Sequence, residues 1–392
     1  MNAIVFIRSP LFDIYKWRIN DDICFHVITQ CALPDTTHFS SFYRTDSIDK
    51  DSELIIWIEN LISKYRIDFV ICHSEYDLIR SAQLRDRLGI RGQNTQSALA
   101  YRDKAVMKSY CSQKMIKVAN WQKVEQPENL RSAIQAVGFP CVIKPIAGGG
   151  SRNTYVAYDE TEINHSSHQF PLLVEQFIEG KMFHVDGLVE GGKVIFSTVS
   201  FYTTSCLAWQ KGVSLGSVVL ESGSTLDSRM KQEACHVIAA LPLVAQMAFH
   251  AEFFLTPDDD IVLCEIAARS GGALVPQAIE AAWGININEC WLRQQQGEEL
   301  SLMLPLTALR QSGWFLLPPK KGTLQRLPEI DPPFNWLSNF RFTARLGIRF
   351  NGADSSVSHI AAGVVSGQSS FEVEERIAIL DRWLNQHTQW EV

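Results

Sequence analysis

Apolar positions in the N-terminal quarter of the chain occur either in short continuous runs or at helical spacing, which predicts alternating strands and helices. Continuous apolar runs at Ala3–Ile7 and Ile67–Cys72 are typical of buried strands, and helical spacing covers Leu54–Tyr65. A second helical stretch ends at Gly89. Strand–helix–strand–helix order indicates a parallel α/β sheet. We therefore expect an N-terminal α/β domain over residues 1–100.

A different pattern follows, and it predicts a central subdomain over residues 101–200. A helical segment begins at Arg102-Asp103-Lys104, and the strand Cys141–Pro145 runs into the glycine-rich segment Ala147–Asn153. Further elements are expected as a helix at Asn129–Val137 and strands at Leu172–Phe177, His184–Val189 and Val194–Val199.

The remaining residues, 201–392, predict a third unit. Asp227–Ala248 is expected to be mostly helical, although Pro242 interrupts the pattern. A hairpin is expected over Glu252–Ala267, and a closing helix over Glu372–His387.

Composition narrows the class of protein. Hydrophobic residues make up 46% and charged residues 20% of 392 residues, which is the profile of a globular protein with several packed units. The net charge of −7 disfavours a nucleic-acid partner. Nine cysteines without a C-x-x-C motif favour reduced thiols in a cytoplasm. The apolar run at Ala3–Ile7 is too short for a signal peptide or a membrane span, so no membrane partner is expected.

Two glutamates flank the turn of the predicted hairpin. Pro257–Asp260 is a turn signal between apolar runs. A turn centred between Asp258 and Asp259 would place Glu252 directly opposite Glu265 on one face of the sheet. Like charges in that position destabilise a sheet, so a divalent cation with oxygen ligands is one natural partner. The same pattern also fits two glutamates that point into water at a sheet edge.

A lysine and a glycine triplet suggest a phosphate site. Lys144 lies in an apolar strand shortly before Gly148, Gly149 and Gly150. An ammonium group can meet a phosphate as a point charge, and glycine N–H groups allow close approach of phosphate oxygens. The spacing matches neither a Walker P-loop nor a dinucleotide fingerprint. A flexible hairpin tip fits these residues too. The segment Val174–Ile178 likewise fits either an edge that binds adenine or an ordinary strand end.

Taken in order, these segments resemble the ATP-grasp superfamily across most of the chain. The resemblance rests on the N-terminal α/β unit and on Arg102–Lys104, Val142–Pro145, Val174–Ile178, Phe249–Phe253 and Cys264–Gly272. The segment Gly313–Gly322 is similar to the start of the C-terminal part in the carboxylate–amine ligase branch, which includes the L-amino-acid ligases. The resemblance implies an α/β and α+β protein with a Rossmann-like parallel sheet, a central lid subdomain and a C-terminal antiparallel-sheet subdomain.

The resemblance also implies roles for individual residues. Lys104 and Lys144 would hold ATP phosphates, and Glu252 and Glu265 would bind Mg²⁺, or Mn²⁺ in its place. Arg269, with Lys144, would be catalytic and would stabilise the transferring phosphoryl group. The implied contacts with ATP and the acyl group are a lid of Gly148, Gly149, Gly150 and Ser151, an adenine hinge of Glu175, Gln176, Phe177 and Ile178, and a substrate contact of Ser270, Gly271 and Gly272.

The chain departs from the family pattern at two positions. The family usually has Glu-x-Asn-x-Arg at the second metal ligand, whereas Ala267 stands in the asparagine position here, which leaves the number of magnesium ions open. Many members have a ribose-binding glutamate where this chain has Met182, so His184 or Glu179 is expected to replace it. His250 is interpreted as a packed histidine on the sheet face opposite to that of the glutamates.

The expected activity is an ADP-forming carboxylate–amine ligase that joins small molecules, one of them an amino acid, through an acyl phosphate. Antibiotic or siderophore pathways would use such an enzyme. Two alternatives stay open: an ATP-grasp carboxylase or purine-pathway-type enzyme, and a nucleotide-binding protein without catalysis. Dimerisation is common among relatives, and the sequence leaves it open here.

Overall fold

The computed structural model describes residues 1–9, 14, 16, 18–19, 21–33, 35–163 and 169–391. The described residues form four sheets. The polar sequence around His165 and His168 predicts a surface loop there. Both histidines lie outside the described residues.

The N-terminal unit is the expected parallel sheet, with strand order β3-β2-β1-β4. Side chains of β1 alternate between two apolar clusters, Ile4 and Phe6 on one side and Ala3 and Val5 on the other. Both faces are therefore covered, which explains its continuous apolar run. Its elements are β1 (Asn2–Ile7), β2 (Cys24–Thr29), β3 (Ser41–Arg44), α1 (Glu53–Lys64), β4 (Phe69–Cys72), α2 (Leu78–Leu88) and α3 (Thr95–Arg102).

The central unit contains an antiparallel sheet with strand order β5-β8-β6-β7. The Asp103 side chain accepts hydrogen bonds from the backbone N–H groups of Ala105 and Val106, which caps the first helix of the unit. In the strand that carries Lys144, Cys141 and Ile143 face the apolar core, so Lys144 projects from the opposite face. Its elements are α4 (Lys104–Gln113), β5 (Trp121–Val124), α5 (Leu130–Val137), β6 (Cys141–Pro145), β7 (Tyr155–Ala157) and β8 (Leu172–Gln176).

The largest unit is an eight-stranded antiparallel sheet with strand order β13-β12-β9-β10-β11-β14-β18-β16. A three-stranded sheet, β17-β15-β19, lies beside it. The elements are β9 (Lys181–Glu190), β10 (Lys193–Tyr202), β11 (Leu215–Val219), α6 (Thr225–Ala240), β12 (Met247–Leu255), β13 (Ile261–Ala267), α7 (Val275–Trp283), α8 (Ile287–Gln295), β14 (Gln311–Leu317), β15 (Lys321–Arg326), β16 (Leu337–Phe342), β17 (Arg349–Asn351), β18 (Ala361–Gly367), α9 (Ser370–His387) and β19 (Gln389–Glu391).

Strand β12 builds the core and the candidate site at once. Its odd-numbered residues Phe249, Ala251 and Phe253 are buried in the largest apolar cluster, which includes side chains of α6. Its even-numbered residues His250 and Glu252 face the other side of the sheet and line a cleft. Because side chains alternate between the two faces of a strand, one face of β12 packs in the core and the other lines the cleft.

The helix predicted over Asp227–Ala248 ends at Ala240, and Met247 already belongs to β12, so that prediction was wrong beyond Ala240. Pro242 cannot donate the hydrogen bond that a continuing helix needs. The domain limits at residues 100 and 200 stay predictions, although β9 and β10 hydrogen-bond into the large sheet rather than the central one.

Among the described residues, no helix is both long enough and apolar enough to cross a bilayer.

Replacing Phe249 by alanine should destabilise the fold strongly. Phe249 is fully buried and lies opposite Gly187, where an added Cβ would come within 2.6 Å of the Phe249 ring. The ring thus fills the space above a glycine in the middle of the sheet. We expect Phe249→Ala to lower the free energy of unfolding by about 3–5 kcal/mol in urea titrations. Phe371→Ala, at a position 69% exposed, is the control and should change it by about 0.5 kcal/mol or less. Equal effects would contradict this account.

Candidate active site

One cleft of about 1280 Å³ gathers nearly all the predicted site residues from the three units. Its walls include the C-terminal edge of the parallel sheet, β6, β8, and the even-numbered face of β12. The predicted residues that line it are Lys104, Lys144, Gly148, Gly149, Gly150, Ser151, Glu175, Gln176, Phe177, Ile178, Glu252, Glu265, Arg269, Ser270, Gly271 and Gly272. His184 is not one of its lining residues.

The hairpin pairs Glu252 directly with Glu265, as the sequence predicted. The predicted centre of the turn was wrong, however. Strand β12 ends at Leu255 and β13 begins at Ile261, so the turn is centred on Asp258. A β-bulge at Cys264 adds one residue to β13 and restores the predicted pairing beyond it. The bulge therefore aligns the two carboxylates.

Positive and hydrogen-bonding groups surround the two glutamates. Lys104 Nζ lies 3.0 Å from Glu265 Oε2, and the Tyr202 hydroxyl donates a 2.8 Å hydrogen bond to Glu252 Oε1. Burial alone would raise the pKa of Glu265, but Lys104 and Lys144 outweigh it and hold that pKa well below its usual range. Glu265 is therefore ionised, as a ligand for a hard cation must be.

Three lysines converge where α4 meets β6. Lys104 opens α4 and Lys108 follows one turn later, so both lie on one helix face. Glu175 forms salt bridges with Lys144 and, at 2.8 Å, with Lys108. Burial alone would raise the pKa of Glu175, but Lys108 and Lys144 lower it. Lys108 was not among the predicted site residues, although its spacing of four residues from Lys104 was a usable signal.

Glu75 is a second site residue whose role the sequence did not reveal. It follows β4 at the C-terminal edge of the parallel sheet, and its carboxylate accepts a 3.0 Å hydrogen bond from Arg269. Arg102 lies 3.6 Å from its other oxygen. Burial would raise the pKa of Glu75, but Arg269 and Arg102 lower it. Its position after a parallel strand was the available signal, since such edges collect functional residues.

The glycine loop packs closely over these groups. A Cβ on Gly149 would lie 2.5 Å from Glu75 Oε1, which explains the absence of a side chain there. Gly150 has φ of +62°, and its carbonyl accepts a 2.9 Å hydrogen bond from the Ser356 N–H. The Gly148 carbonyl accepts a 2.9 Å hydrogen bond from Lys104 Nζ. The loop is therefore attached to the N-terminal, central and C-terminal units.

A buried histidine–aspartate cluster lies beside Glu252. Asp186 Oδ1 is 2.8 Å from His250 Nδ1, and Asp186 Oδ2 is 2.5 Å from His184 Nδ1. His250 Nε2 faces Glu252 Oε1 at 3.4 Å. The prediction that His250 lies on the opposite face was wrong, because residues two apart in a strand share a face. Burial would lower the pKa of His250, but Asp186 and Glu252 raise it to about 10.

The same cluster explains why His184 is not at the cleft wall. It is 1% exposed, and its Nε2 lies 2.7 Å from the Ser217 hydroxyl. Both ring nitrogens therefore have partners inside the protein. Glu179, the other residue expected to replace the ribose-binding glutamate, does line the cleft.

The donor set fits a hard divalent cation. Glu252 and Glu265 present ionisable oxygens on one sheet face, and a cation would relieve the repulsion of a direct carboxylate pair. Lys104, Lys144 and Arg269 lie on the same cleft and can neutralise phosphate oxygens. The arrangement therefore suits a nucleoside triphosphate bound together with a metal ion.

Replacing Glu175 by glutamine should destabilise the protein, because Lys108 and Lys144 would remain buried without a carboxylate. We expect a loss of about 3–5 kcal/mol in the free energy of unfolding at pH 7. The lowered pKa means that this contribution is present above pH 4.5, the ordinary value, and is lost as the pH falls through the folded-state value. The variant should therefore lose less stability on acidification than the unmodified protein does.

Glu125→Gln is the matched control for that measurement. Glu125 also pairs with a lysine, Lys123, at 2.6 Å, but the two side chains are 59% and 37% exposed. The change should cost less than about 1 kcal/mol. Similar losses in the two variants would contradict the proposed importance of burial.

Comparisons with known proteins agree with this geometry. Residues 109–272 match the family model of the ATP-grasp domain. The chain is 25% identical over 326 residues to an L-arginine-specific L-amino acid ligase of Bacillus subtilis, covering 80% of this chain and 78% of that protein.

Two solved structures show the same fold. An L-amino acid ligase from Bacillus licheniformis has a TM-score of 0.82 at 16% identity, covering 100% of this chain and 99% of that one. An N5-carboxyaminoimidazole ribonucleotide synthetase from Thermotoga maritima has a TM-score of 0.68 at 17% identity, with coverage of 100% and 99%. The chain therefore carries an ATP-grasp domain at residues 109–272 and, over four fifths of its length, is similar to an L-amino acid ligase.

Proposed function

We propose that this protein is an ADP-forming carboxylate–amine ligase that joins two small molecules by an amide or peptide bond. At least one substrate is an amino acid, and the enzyme works in the cytoplasm on freely diffusing metabolites. The observation that carries this proposal is the position of Arg269 in the same cleft as Lys104, Lys144 and the paired glutamates. The similarity to an L-amino acid ligase over 80% of the chain supports it.

The nucleotide would lie between the central unit and the large sheet. Lys104 and Lys144 supply positive charge for the phosphates, and the loop Gly148–Ser151 covers them with backbone N–H groups. The strand end Glu175–Ile178 offers backbone groups to the adenine ring. Lys108 and Glu175 hold Lys144 in place through the buried salt bridges described above.

Glu252 and Glu265 would hold the divalent cation beside the phosphates. When bound, Mg²⁺ or Mn²⁺ neutralises developing charge on the phosphate oxygens. Tyr202 fixes the Glu252 carboxylate through its 2.8 Å hydrogen bond. Lys104 is 3.0 Å from Glu265 and can shift its contact to a phosphate when the nucleotide is present.

The chemistry requires no protein nucleophile. A substrate carboxylate oxygen attacks the γ-phosphorus of ATP, the bond to the β-phosphate oxygen breaks, and ADP leaves. The amine then attacks the acyl carbon, the bond to the phosphate oxygen breaks, and the amine nitrogen loses a proton. Arg269 stabilises the negative charge in both steps, and Glu75 orients its guanidinium at 3.0 Å.

Two other functions make different predictions. A carboxylase or purine-pathway-type enzyme is suggested by the shared fold with the Thermotoga maritima synthetase, and its ATP turnover would depend on bicarbonate or formate. A nucleotide-binding protein without catalysis is suggested by Ala267 and Met182 at two family ligand positions. It would bind ATP without turnover under any substrate mixture.

The product test uses ATP, Mg²⁺ and panels of carboxylates with amines, with carboxylates labelled by ¹⁸O. We expect ADP and phosphate to form only when both substrates are present, and one ¹⁸O atom to appear in the phosphate. That transfer is the signature of an acyl phosphate. Formation of AMP and pyrophosphate would rule out the mechanism, and turnover that requires bicarbonate would favour the carboxylase.

Arg269→Ala should lower kcat by about 10²–10³-fold, because it removes a donor to the developing negative charge. The melting temperature should fall less than in Glu175→Gln, since Arg102 still faces Glu75. Arg229→Ala is the control, because Arg229 pairs with the turn residue Asp259 at the surface. Unchanged turnover in Arg269→Ala would argue against the assigned role.

A further inference from the structure

Three buried side chains bring metal-ligand atoms together on one face of the large sheet. Among the residues that the structure describes, His184, Asp186 and His250 form the one group of three whose ligand atoms all lie within 4.8 Å of one another. His250 lies directly opposite Asp186 in the ladder of β9 and β12, and His184 is two residues before Asp186 on β9. Because side chains two apart in a strand share a face, all three project to the same side.

Each histidine directs one ring nitrogen to Asp186 and the other to an outer partner. Nδ1 of His184 is 2.5 Å from Asp186 Oδ2, and Nδ1 of His250 is 2.8 Å from Asp186 Oδ1. The two Nε2 atoms lie 2.7 Å from the Ser217 hydroxyl and 3.4 Å from Glu252 Oε1, respectively. Histidines that bind metals usually have such an outer partner, because it fixes the tautomer and the ring orientation. Both Nδ1 atoms are thus held toward one centre at the Asp186 carboxylate.

The spacing of these atoms is close to that around a small dication. Zn²⁺ binds histidine nitrogen and carboxylate oxygen at about 2.0–2.2 Å, so two of its ligand atoms are about 3 Å apart or slightly more. The two contacts with Asp186, 2.5 and 2.8 Å, are only a little shorter. A small rotation of the side chains would therefore admit the ion.

The cleft provides the path to this group. A Cβ at Gly271 would lie 2.7 Å from Asp186 Oδ1, so a side chain at that position would occupy the space beside the carboxylate. Gly271 and His250 both line the cleft. On the other side, the next cross-strand pair of the same face, Leu188 with Ala248, belongs to an apolar cluster. An ion would therefore enter from the cleft and stop against the core.

The chemistry of the three ligands selects the metal. Two imidazole nitrogens with one carboxylate suit first-row dications such as Zn²⁺, whereas Mg²⁺ prefers oxygen ligands and keeps several waters. The group therefore differs in kind from the carboxylate pair Glu252 and Glu265. Asp186 is fully buried, and a buried carboxylate needs compensating positive charge, which a dication supplies.

We propose that His184, Asp186 and His250 bind a zinc ion at a site separate from that of the catalytic cation. Three protein ligands leave a fourth position for a water molecule from the cleft. In the ion-bound form, Nε2 of each ring carries the ring proton and donates it to Ser217 or Glu252. The ion would thus join β9 to β12 and position Glu252. This inference does not depend on the proposed function, since neither ATP nor its reaction takes part.

The experiment is zinc K-edge X-ray absorption of the full-length protein, treated with a chelator and then given one equivalent of Zn²⁺ without nucleotide. We expect nitrogen and oxygen ligands at about 2.0–2.2 Å and the multiple scattering of two imidazole rings. Sulfur scattering would assign the ion to some of the nine cysteines and overturn the inference. The measurement requires no variant, so it stays decisive if a substitution in the buried group prevents folding.

Four variants then locate the ion. His184→Gln and His250→Gln should each remove one imidazole from the spectrum and raise the Kd for Zn²⁺ by more than about 100-fold, since loss of an outer partner alone costs about 10- to 100-fold. Ser217→Ala removes only an outer partner and should have that smaller effect with both imidazoles retained. His236→Gln is the matched control, because the His236 side chain is 52% exposed and lies 3.5 Å from Glu233. It should leave the spectrum and the Kd unchanged.

Glu265→Gln separates this site from that of the catalytic cation. It should leave zinc binding unchanged while it lowers ATP turnover. Loss of zinc in Glu265→Gln would place the ion at the glutamate pair and contradict the inference. Absence of zinc binding in the unmodified protein would contradict it too, and would leave the ligase proposal intact. Zinc bound by two imidazoles in a protein that turns over no ATP would instead overturn the proposed function alone.

Discussion

The central constraint on the site is the repulsion between two carboxylates, because Glu252 and Glu265 lie directly opposite each other in the sheet. Such a pair is unfavourable in a sheet unless positive groups or donors surround it. Here Lys104 comes from the central unit, Tyr202 from β10 and His250 from β12 itself. The groups that compensate the negative charge of this pair therefore come from separate parts of the chain and meet at one wall of the cleft.

The balance extends beyond the pair into a connected network of buried charges. Glu175 joins Lys108 to Lys144, and Glu75 joins Arg269 to Arg102. Breaking one partner of such a pair leaves an uncompensated buried charge, which costs far more than an exposed ion pair contributes. The network therefore fixes the position of the parallel sheet relative to the hairpin, and the glycine loop packs against it at Glu75.

Local pattern was enough to predict most of the elements that carry the site. The strand with Lys144, the helix that begins at Lys104 and the pairing of Glu252 with Glu265 all depend on short-range periodicity. The pairing was correct although the turn centre was wrong, because the bulge at Cys264 compensated the error of one residue. A register error of one residue usually moves a side chain to the other face of the sheet. The predicted pairing was therefore correct only because of the bulge, which the sequence pattern did not predict.

The partners of those residues could not be predicted in the same way. Glu75 and Arg269 are separated by 194 positions, and Lys108 and the carbonyl of Cys264 by 156. No periodicity links residues so far apart, since their contact is created by packing of the units. Strands that lie outside the strongly apolar runs, such as β3 with its alternating exposure, were missed because half of their residues face solvent.

The cleft wall is built from two kinds of segment, regular elements and the loops that connect them. Lys104, Lys144, Glu252 and Glu265 belong to regular helices and strands, whose hydrogen-bond ladders hold side chains in fixed directions. Other parts of the cleft wall are connecting segments, including Ser9, Ser74 and Ser355–Val357, together with Gln277 and Glu280 on the short helix α7. Loops tolerate sequence change far better than ladders do. Under the proposed function, the residues for ATP and the cation would therefore lie on regular elements, and the connecting segments would have more freedom to set the choice of carboxylate and amine.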